Sequence, residues 1–192
     1  MDMIAPFALT ICGIDELLDH RETGVSHVLS ILDPGYPEPE AFGRFRAHRR
    51  LELRFHDVIE HGTAMAAPQR EDVACLLDFG RDLAKEPPEA THLLVHCHAG
   101  ISRSTAAMAL IIAQLVPDLP ASEIMREVVR LRPPAWPNLR IIELGDALLA
   151  RNGEIVAAAA EVYRRQINSQ PHMAGLMTLG GRGREILAAG GR

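Results

Sequence analysis

The chain has 192 residues, of which 47% are hydrophobic and 23% are charged, so it is long enough for one globular domain with a sizeable core. Its 20 basic and 25 acidic residues give a net charge of −5, which disfavours broad electrostatic binding to nucleic acid. No apolar run approaches the roughly 18 residues of a membrane span, and the first residues do not resemble a secretory signal. Three cysteines are too few for a disulfide framework, so we expect a cytoplasmic protein.

Strand-like and helix-like segments alternate along the chain, which predicts an α/β fold with a central, mostly parallel sheet flanked by helices. Four short apolar segments have the pattern of strands, at residues 7–14, 27–32, 51–55 and 93–97. The second is closed by a turn signal, Asp33-Pro34-Gly35. Helices are predicted at residues 15–24, weakly at 38–48, then at 68–86, 103–116 and 121–131, with a last helix from about 137 to well past 149.

We expect residues 1–165 to form a single domain without internal repeats. From residue 166 the chain is rich in glycine and weak in periodicity, which predicts a flexible C-terminal tail over residues 166–192. Cys12, Cys75 and Trp136 are expected to pack in the core. A second role for Cys12, as a reversible disulfide partner of Cys97, stays open.

The nine residues HCHAGISRS at 96–104, over which the fourth predicted strand passes through a loop into the next helix, are the strongest candidate for a functional site. A strand that breaks into a tight loop and then a helix directs backbone N–H groups and the positive helix end to one point, which forms an anion site. Gly100 permits a close approach that a Cβ would resist. The planar fork of Arg103 matches two oxygens of a tetrahedral anion, and the same positive field favours the thiolate of Cys97.

A thiolate beside such an anion site predicts attack on phosphorus and a covalent phosphocysteine intermediate. The Ser104 hydroxyl is expected to donate to the sulfur and so to ease the departure of the thiolate. His96 is expected to support the loop through backbone hydrogen bonds. The groups that would bind the phosphate lie at His98, Ala99, Gly100, Ile101, Ser102 and Arg103.

The segment HCHAGISRS resembles the signature loop of the cysteine-dependent protein tyrosine phosphatases, H-C-x5-R-S/T. Two flanking segments extend the resemblance to the dual-specificity phosphatases over about residues 7–149: ICGIDELLDHRETGVSHVLSI before the loop and RPPAWPNLRIIEL after it. The resemblance implies a protein tyrosine phosphatase-like fold and no cofactor. It also implies a substrate that is a phosphorylated protein or a small phosphate monoester. Lys85 is the only lysine, a bias typical of a GC-rich bacterial genome.

The family also requires an aspartic acid that protonates the leaving oxygen, in a loop that follows the strand corresponding to residues 51–55. The resemblance assigns this role to Asp57, which lies 40 residues before Cys97. That separation is longer than in small members of the family, so a longer loop must intervene. Glu60 and Asp72 remain the alternatives. Asn138, in RPPAWPN, is implied to brace the loop by hydrogen bonding.

Several functional alternatives remain at this point. The loop interior contains no lysine, which favours phosphotyrosine over phosphoinositides, with phosphoserine and phosphothreonine as further substrates. A phosphate-binding module without turnover is one alternative, and a rhodanese-type sulfurtransferase, which also places a cysteine in an anion-binding loop, is another. The nine histidines lack the spacing of a zinc site, so no metal is expected.

Overall fold

The structure is a computed structural model that describes residues 4–60 and 64–190. Its sheet contains four strands, β1 Ala8–Cys12, β2 His27–Leu32, β3 Arg49–Arg54 and β4 His92–His96. The strand order is β1-β4-β2-β3, and every neighbouring pair is parallel. The prediction of an α/β fold with a parallel sheet flanked by helices is therefore confirmed. Parallel pairing also places the carboxyl ends of the strands at one edge of the sheet, where ligands commonly bind in such folds.

The helices cover the sheet and extend to the end of the described chain. They are α1 Arg70–Leu83, α2 Arg103–Leu115, α3 Ala121–Leu131, α4 Leu139–Leu148, α5 Glu154–Ser169, α6 His172–Leu179 and α7 Gly183–Ala188. The segments predicted as helices at 15–24 and 38–48 instead contain short 3-10 helices, at Ile14–His20 and Glu40–Arg44. A third 3-10 turn, Pro88–Ala90, precedes β4.

The prediction of one long helix after residue 137 is wrong, because a tight turn separates α4 from α5. Ala150, Asn152 and Gly153 have φ angles of 54°, 53° and 88°, a left-handed conformation that cannot continue a right-handed helix. The Asp146 carboxylate then accepts from the amides of Gly153 at 2.6 Å and Ile155 at 2.9 Å, which satisfies donors at the start of α5.

The two faces of the sheet are covered unequally. Alternate strand residues such as Leu29 and Val95 face a large core against α1, α2 and α4, and α2 is buried around most of its circumference. On the other face, Val28 and Leu94 form a small cluster with residues of the two N-terminal 3-10 helices. Cys75, expected in the core, is exposed because it lies on the side of α1 opposite to its buried residues.

The prediction of a flexible tail over residues 166–192 is also wrong for the part that the structure describes. Helix α5 continues through the expected boundary at residue 165, and α6 and α7 follow it. Ile186 and Ala189 belong to the large core, and Glu185 is fully buried. Sequence periodicity could not reveal α7, because a helix of six residues is too short to show it and its deepest residue is charged.

Candidate active site

The carboxyl ends of the four strands bring the candidate residues together. The loop from Cys97 to Ser102 follows β4, Asp33 follows β2, Asp57 lies three residues beyond β3, and Gly13 follows β1. These positions are distant in sequence, and parallel strand pairing is what makes them neighbours. The site therefore forms at the edge that this fold class uses for ligands.

Gly100 fits the loop closely against the end of β1. Its φ of +70° lies in the left-handed region, and a Cβ added there would lie 2.4 Å from the carbonyl carbon of Cys12 and 2.6 Å from the nitrogen of Gly13. Real Cβ atoms do not approach backbone so closely, so any larger residue must displace the loop or the strand end. The glycine expected from the sequence is thus required both by conformation and by space.

Four carbonyl oxygens of the loop are held by donors that lie outside it. Ile14 N donates to His98 O at 2.9 Å, and Arg132 Nη2 donates to Ala99 O at 2.9 Å. Trp136 N donates to Ile101 O at 2.9 Å, and Asn138 N donates to Ser102 O at 3.2 Å. In a trans peptide the N–H points opposite to the C=O, so the next amide in each case is directed to the inside of the loop. The amides of residues 99, 100 and 102 have no acceptor among the described residues, which leaves them available to an anion.

Arg103 is fixed through one nitrogen and retains donors for a ligand. Its Nη1 donates to Asp33 Oδ1 at 2.6 Å and to the carbonyl of Phe55 at 2.7 Å, and the side chain is almost fully buried. Its Nε is also buried but has no partner among the described residues. An unpaired guanidinium N–H in a buried position suits an oxyanion. Sequence reasoning identified Asp33 only as a turn residue, and no local signal distinguished it.

Cys97 lies at the base of the loop with 2% of its surface exposed, and Ser104 Oγ lies 3.2 Å from its Sγ. Neither ring nitrogen of His96 has a partner at good hydrogen-bond geometry among the described residues, and only a weak interaction with the Cys97 backbone corresponds to the expected support of the loop. Burial lowers the pKa of His96 to about 4, and a weaker interaction with the backbone of Cys97 acts in the opposite direction. His96 therefore supports the loop as a buried, neutral ring, which packs near Phe42.

Asp57 contacts the loop directly. Its Oδ1 accepts from Ser102 Oγ at 2.8 Å, from Asn138 Nδ2 at 2.8 Å and from Arg182 Nη1 at 3.2 Å. Asn138 thus bonds to the acid as well as to the loop. Among the alternatives, Asp72 accepts instead from the Gln69 amide at the start of α1. Of these two, Asp57 is therefore the carboxyl group that hydrogen-bonds to the loop.

His98 and Tyr36 form the wall of the site beside the loop. The backbone N–H of Asp33 donates to His98 Nε2 at 3.2 Å, which makes that nitrogen an acceptor. Burial and the nearby Arg103 lower the pKa of His98, so the ring is neutral near pH 7. The ring of Tyr36 lies 4.4 Å from that of His98, centroid to centroid, and is partly exposed.

Arg132 and Glu16 form an ion pair behind the loop that sequence reasoning missed. Arg132 Nη1 donates to Glu16 Oε1 at 2.8 Å, and the other Glu16 oxygen accepts from Gly13 N at 2.6 Å. The hydrogen bond from Arg132 lowers the pKa of the Glu16 carboxyl. The pair thereby ties Ala99, the start of the first 3-10 helix and the end of α3 together. Arg132 is the first residue of RPPAWPN, so the segment itself was the available signal.

Cys12 and Trp136, the remaining residues considered from the sequence, are both buried. Cys12 is buried beside His96 in the sheet register, and burial raises its pKa to about 12, which keeps it a protonated thiol and a poor nucleophile. Trp136 is buried and stacks on Tyr163 at 5.1 Å, as a packing residue should.

Within residues 4–60 and 64–190, no three His, Cys, Asp or Glu side chains are grouped as metal ligands would be. Among the same residues, no helix has the length and apolar character to cross a bilayer.

Similarity to known proteins agrees with this geometry. No protein-family model matches the sequence. Human protein phosphatase Slingshot homolog 3 is 30% identical over 140 residues, which is 71% of this chain and 18% of that protein. The chain therefore spans about a fifth of the length of the curated relative that it matches.

Solved structures share the fold at low sequence identity. The human tyrosine phosphatase-like serine/threonine/tyrosine-interacting protein has a TM-score of 0.58 and 19% identity, with 78% of this chain and 95% of that chain covered. Human DUSP28 has a TM-score of 0.56 and 18% identity, with coverages of 79% and 99%. PTPMT1 in complex with PI(5)P has a TM-score of 0.53 and 15% identity, with coverages of 82% and 97%. The chain accordingly has the fold of these dual-specificity phosphatase-like structures, and over 140 residues its sequence is similar to that of a protein phosphatase.

Proposed function

We propose that this protein hydrolyses phosphate monoesters through a phosphocysteine intermediate and that phosphotyrosine in proteins is its substrate. The observation that supports this most directly is the surroundings of Cys97. A buried sulfur lies at the base of a loop whose inward amides and Arg103 Nε are unpaired among the described residues. Such an arrangement holds the equatorial oxygens of a transferring phosphoryl group while the sulfur attacks.

In the first step, Cys97 Sγ, as thiolate, forms a bond to phosphorus and the bond between phosphorus and the ester oxygen breaks. The departing oxygen takes a proton from Asp57, which becomes a carboxylate. Asp57 suits this role because its hydrogen bond with Ser102 holds it at the rim of the loop. The products of the step are the free alcohol or phenol and phosphocysteine.

In the second step, water attacks phosphorus and gives a proton to the Asp57 carboxylate. The bond between sulfur and phosphorus breaks, and inorganic phosphate and the thiolate are released. Ser104, 3.2 Å from Sγ, donates its hydroxyl to the sulfur as negative charge returns to it. The cycle balances without an oxidant, a reductant or a metal ion.

Two features of the surface beside the loop support phosphotyrosine. The exposed side of Tyr36 offers an aromatic wall against which a phenyl ring can pack. The adjoining groove is lined by Asp15, Glu38 and Glu40; Glu38 pairs with Arg50, and the carboxylates of Asp15 and Glu40 repel a substrate that carries additional phosphates. Although PTPMT1 has been solved with PI(5)P, the acidic groove therefore makes an inositol phosphate a poor substrate for this chain.

The decisive experiment is hydrolysis of para-nitrophenyl phosphate between about pH 5 and 8, without added metal, by the reduced wild type and by Cys97→Ser. We expect turnover that vanadate inhibits in the wild type and no turnover in Cys97→Ser, which keeps its affinity for vanadate or phosphate. Cys75→Ser, at an exposed cysteine on α1, is the matched control and should keep full activity. Phosphotyrosine peptides should then be hydrolysed faster than phosphoserine peptides or soluble phosphoinositides.

Other results would overturn the proposal. Phosphopeptide binding without turnover by the wild type would make the protein a phosphate-binding module. Sulfur transfer from thiosulfate to cyanide, without phosphatase activity, would make it a rhodanese-type enzyme. Residual turnover in Cys97→Ser would show that another residue is the nucleophile.

A further inference from the structure

The C-terminal segment reaches the active site through one arginine. Arg182, at the start of α7, is 7% exposed, and its Nη1 and Nη2 donate to Asp57 Oδ1 at 3.2 Å and to Ser102 Oγ at 3.0 Å. These are the side chain of the proposed general acid and a residue of the phosphate-binding loop. The resemblance in the sequence ends near residue 149, so it gives no role to this arginine.

Arg182 is itself held in place by a fully buried glutamate. Its Nε and Nη2 donate to the two oxygens of Glu185 at 3.0 and 2.6 Å. Glu185 also accepts from Trp136 Nε1 at 2.5 Å and from the amide of Leu139 at 3.0 Å. The arginine is therefore fixed to the start of α4, the same helix end from which Asn138 contacts Asp57.

The glutamate also changes what the arginine does electrostatically. A lone arginine beside Asp57 would favour the carboxylate, which cannot act as an acid. Because the two-point pair with Glu185 compensates the positive charge, Arg182 presents hydrogen-bond donors to Asp57 with little net charge behind them. Neighbouring Asp57 and Glu185 keep the pKa of Arg182 raised even though burial alone would lower it.

The three donors to Asp57 share one oxygen. Ser102, Asn138 and Arg182 all donate to Oδ1, and no described residue bonds to Oδ2. A protonated carboxyl group keeps its hydrogen on the oxygen that is not accepting from donors. The donors therefore direct the acidic proton to Oδ2, the oxygen left free for the leaving group.

We propose that Arg182 is a positioning residue for the general acid, which it holds by hydrogen bonds to Asp57 and Ser102 so that the proton lies on Oδ2. The inference rests on the proposed phosphatase function and deepens it. Its consequence is that a complete site needs the C-terminal segment, since Arg182 lies outside the part of the chain that carries the signature motifs.

The test compares a substrate with a good leaving group, para-nitrophenyl phosphate, and one with a poor leaving group, phenyl phosphate. Arg182→Met should lower kcat about tenfold for phenyl phosphate and less than about threefold for para-nitrophenyl phosphate, because only the poor leaving group depends strongly on protonation. In the Asp57→Asn background, the same substitution should change kcat for phenyl phosphate less than about twofold, since the acid that Arg182 positions is already gone.

The controls separate positioning from folding. Arg182→Met leaves Glu185 buried without its partner, so a double variant, Arg182→Met with Glu185→Gln, removes both charges together. It should be more stable than Arg182→Met alone, although one of the donors Trp136 Nε1 and Leu139 N loses its acceptor oxygen, and it should show the same selective loss. Arg182→Lys, which keeps the charge and part of the donor set, should recover part of the activity on phenyl phosphate. Arg164→Met loosens the end of α7 at the Ala189 carbonyl without touching Asp57 and should leave both activities unchanged.

Equal losses with both substrates, no loss, or a full loss in the Asp57→Asn background would overturn the inference while the phosphatase function stands. An inactive wild type would overturn the proposed function, and the inference with it. The two failures are thereby distinguishable, because the first requires an active wild type.

Discussion

The hydroxyl of Ser104 contacts the sulfur of Cys97. It is fully buried in the first turn of α2, and its Oγ is 3.2 Å from Cys97 Sγ. A hydroxyl donated to sulfur stabilises the thiolate, which in the proposed mechanism is the nucleophile of the first step and the leaving group of the second. Loss of the hydroxyl should therefore slow the second step most, in which the thiolate leaves phosphorus.

We expect Ser104→Ala to slow hydrolysis of phosphocysteine about tenfold or more. Stopped-flow measurements with para-nitrophenyl phosphate should show a burst of nitrophenol close to one equivalent per enzyme, followed by slow turnover. Ser104→Thr, which keeps a hydroxyl, is the matched control and should show a smaller burst. A variant without a burst and with unchanged kcat would contradict a role for Ser104 in the second step.

The junction between β1 and the signature loop is the element on which the anion site depends. Gly100 meets the backbone of Cys12 and Gly13, and Ile14 N donates to the carbonyl of His98 at 2.9 Å. The loop is thus formed against a strand that lies more than eighty residues earlier in the chain. Its shape is a property of strand pairing as much as of its own sequence.

Gly100→Ala should therefore lower the free energy of unfolding by far more than the strain of one left-handed alanine, because the added Cβ also clashes with backbone. Gly24 has a similar φ of +77° but no heavy atom within 4 Å of an added Cβ, so Gly24→Ala measures the conformational cost alone. We expect Gly24→Ala to lower the free energy of unfolding by about 1 kcal/mol with activity retained. Gly100→Ala should be less stable still and should bind vanadate at least tenfold more weakly. Equal effects of the two substitutions would show that the loop tolerates a Cβ.

Local patterns predict most of this architecture, and long-range contacts are what they miss. The strand at 27–32 and the helix at 121–131 appear as expected, because apolar spacing and flanking prolines are local signals. Cys97, Arg103 and Gly100 also lie in one contiguous segment, so a single motif was enough to single them out. Asp33 could not be predicted as the partner of Arg103, since its own sequence context indicates only a turn.

The two wrong predictions after residue 137 have different causes. The break between α4 and α5 had a local signal, since Asn152-Gly153 is a pair typical of turns, and the apolar residues on either side concealed it. The packing of α7 had no local signal in the sequence, because Arg182 and Glu185 in a glycine-rich segment resemble solvent-exposed charges. Only the fold brings Glu185 to Trp136 and Arg182 to Asp57.

At the scale of the whole molecule, His96 links stability to pH through the centre of the sheet. It ends β4, where the register places it between Cys12 of β1 and Ser30 of β2, and it is fully buried. Burial lowers its pKa from 6.5 to about 4, and the positive charges of Arg50 and Arg103 act in the same direction. The unfolded chain therefore binds a proton at a pH where the folded chain does not.

This difference in proton binding determines how the free energy of unfolding changes with pH. Between pH 6.5 and about 4 the unfolded state gains a proton that the native state excludes, so the free energy of unfolding falls as the pH is lowered. The expected contribution of His96 across this window is about 3 kcal/mol. His27, His92 and His98 also have lowered pKa values, mainly through burial, and add to the slope with the same sign.

We expect His96→Leu to reduce this dependence, because leucine cannot bind the proton in either state. Urea denaturation of the wild type and of His96→Leu at about pH 7 and about pH 4.5 gives the difference in slope that belongs to His96 alone. His172→Leu, at an exposed position on α6, is the matched control and should keep the slope of the wild type. An unchanged slope in His96→Leu would mean that the native sheet accepts a charged ring beneath the signature loop, and the loss of stability at low pH would then come from other groups, such as His27, His92 and His98.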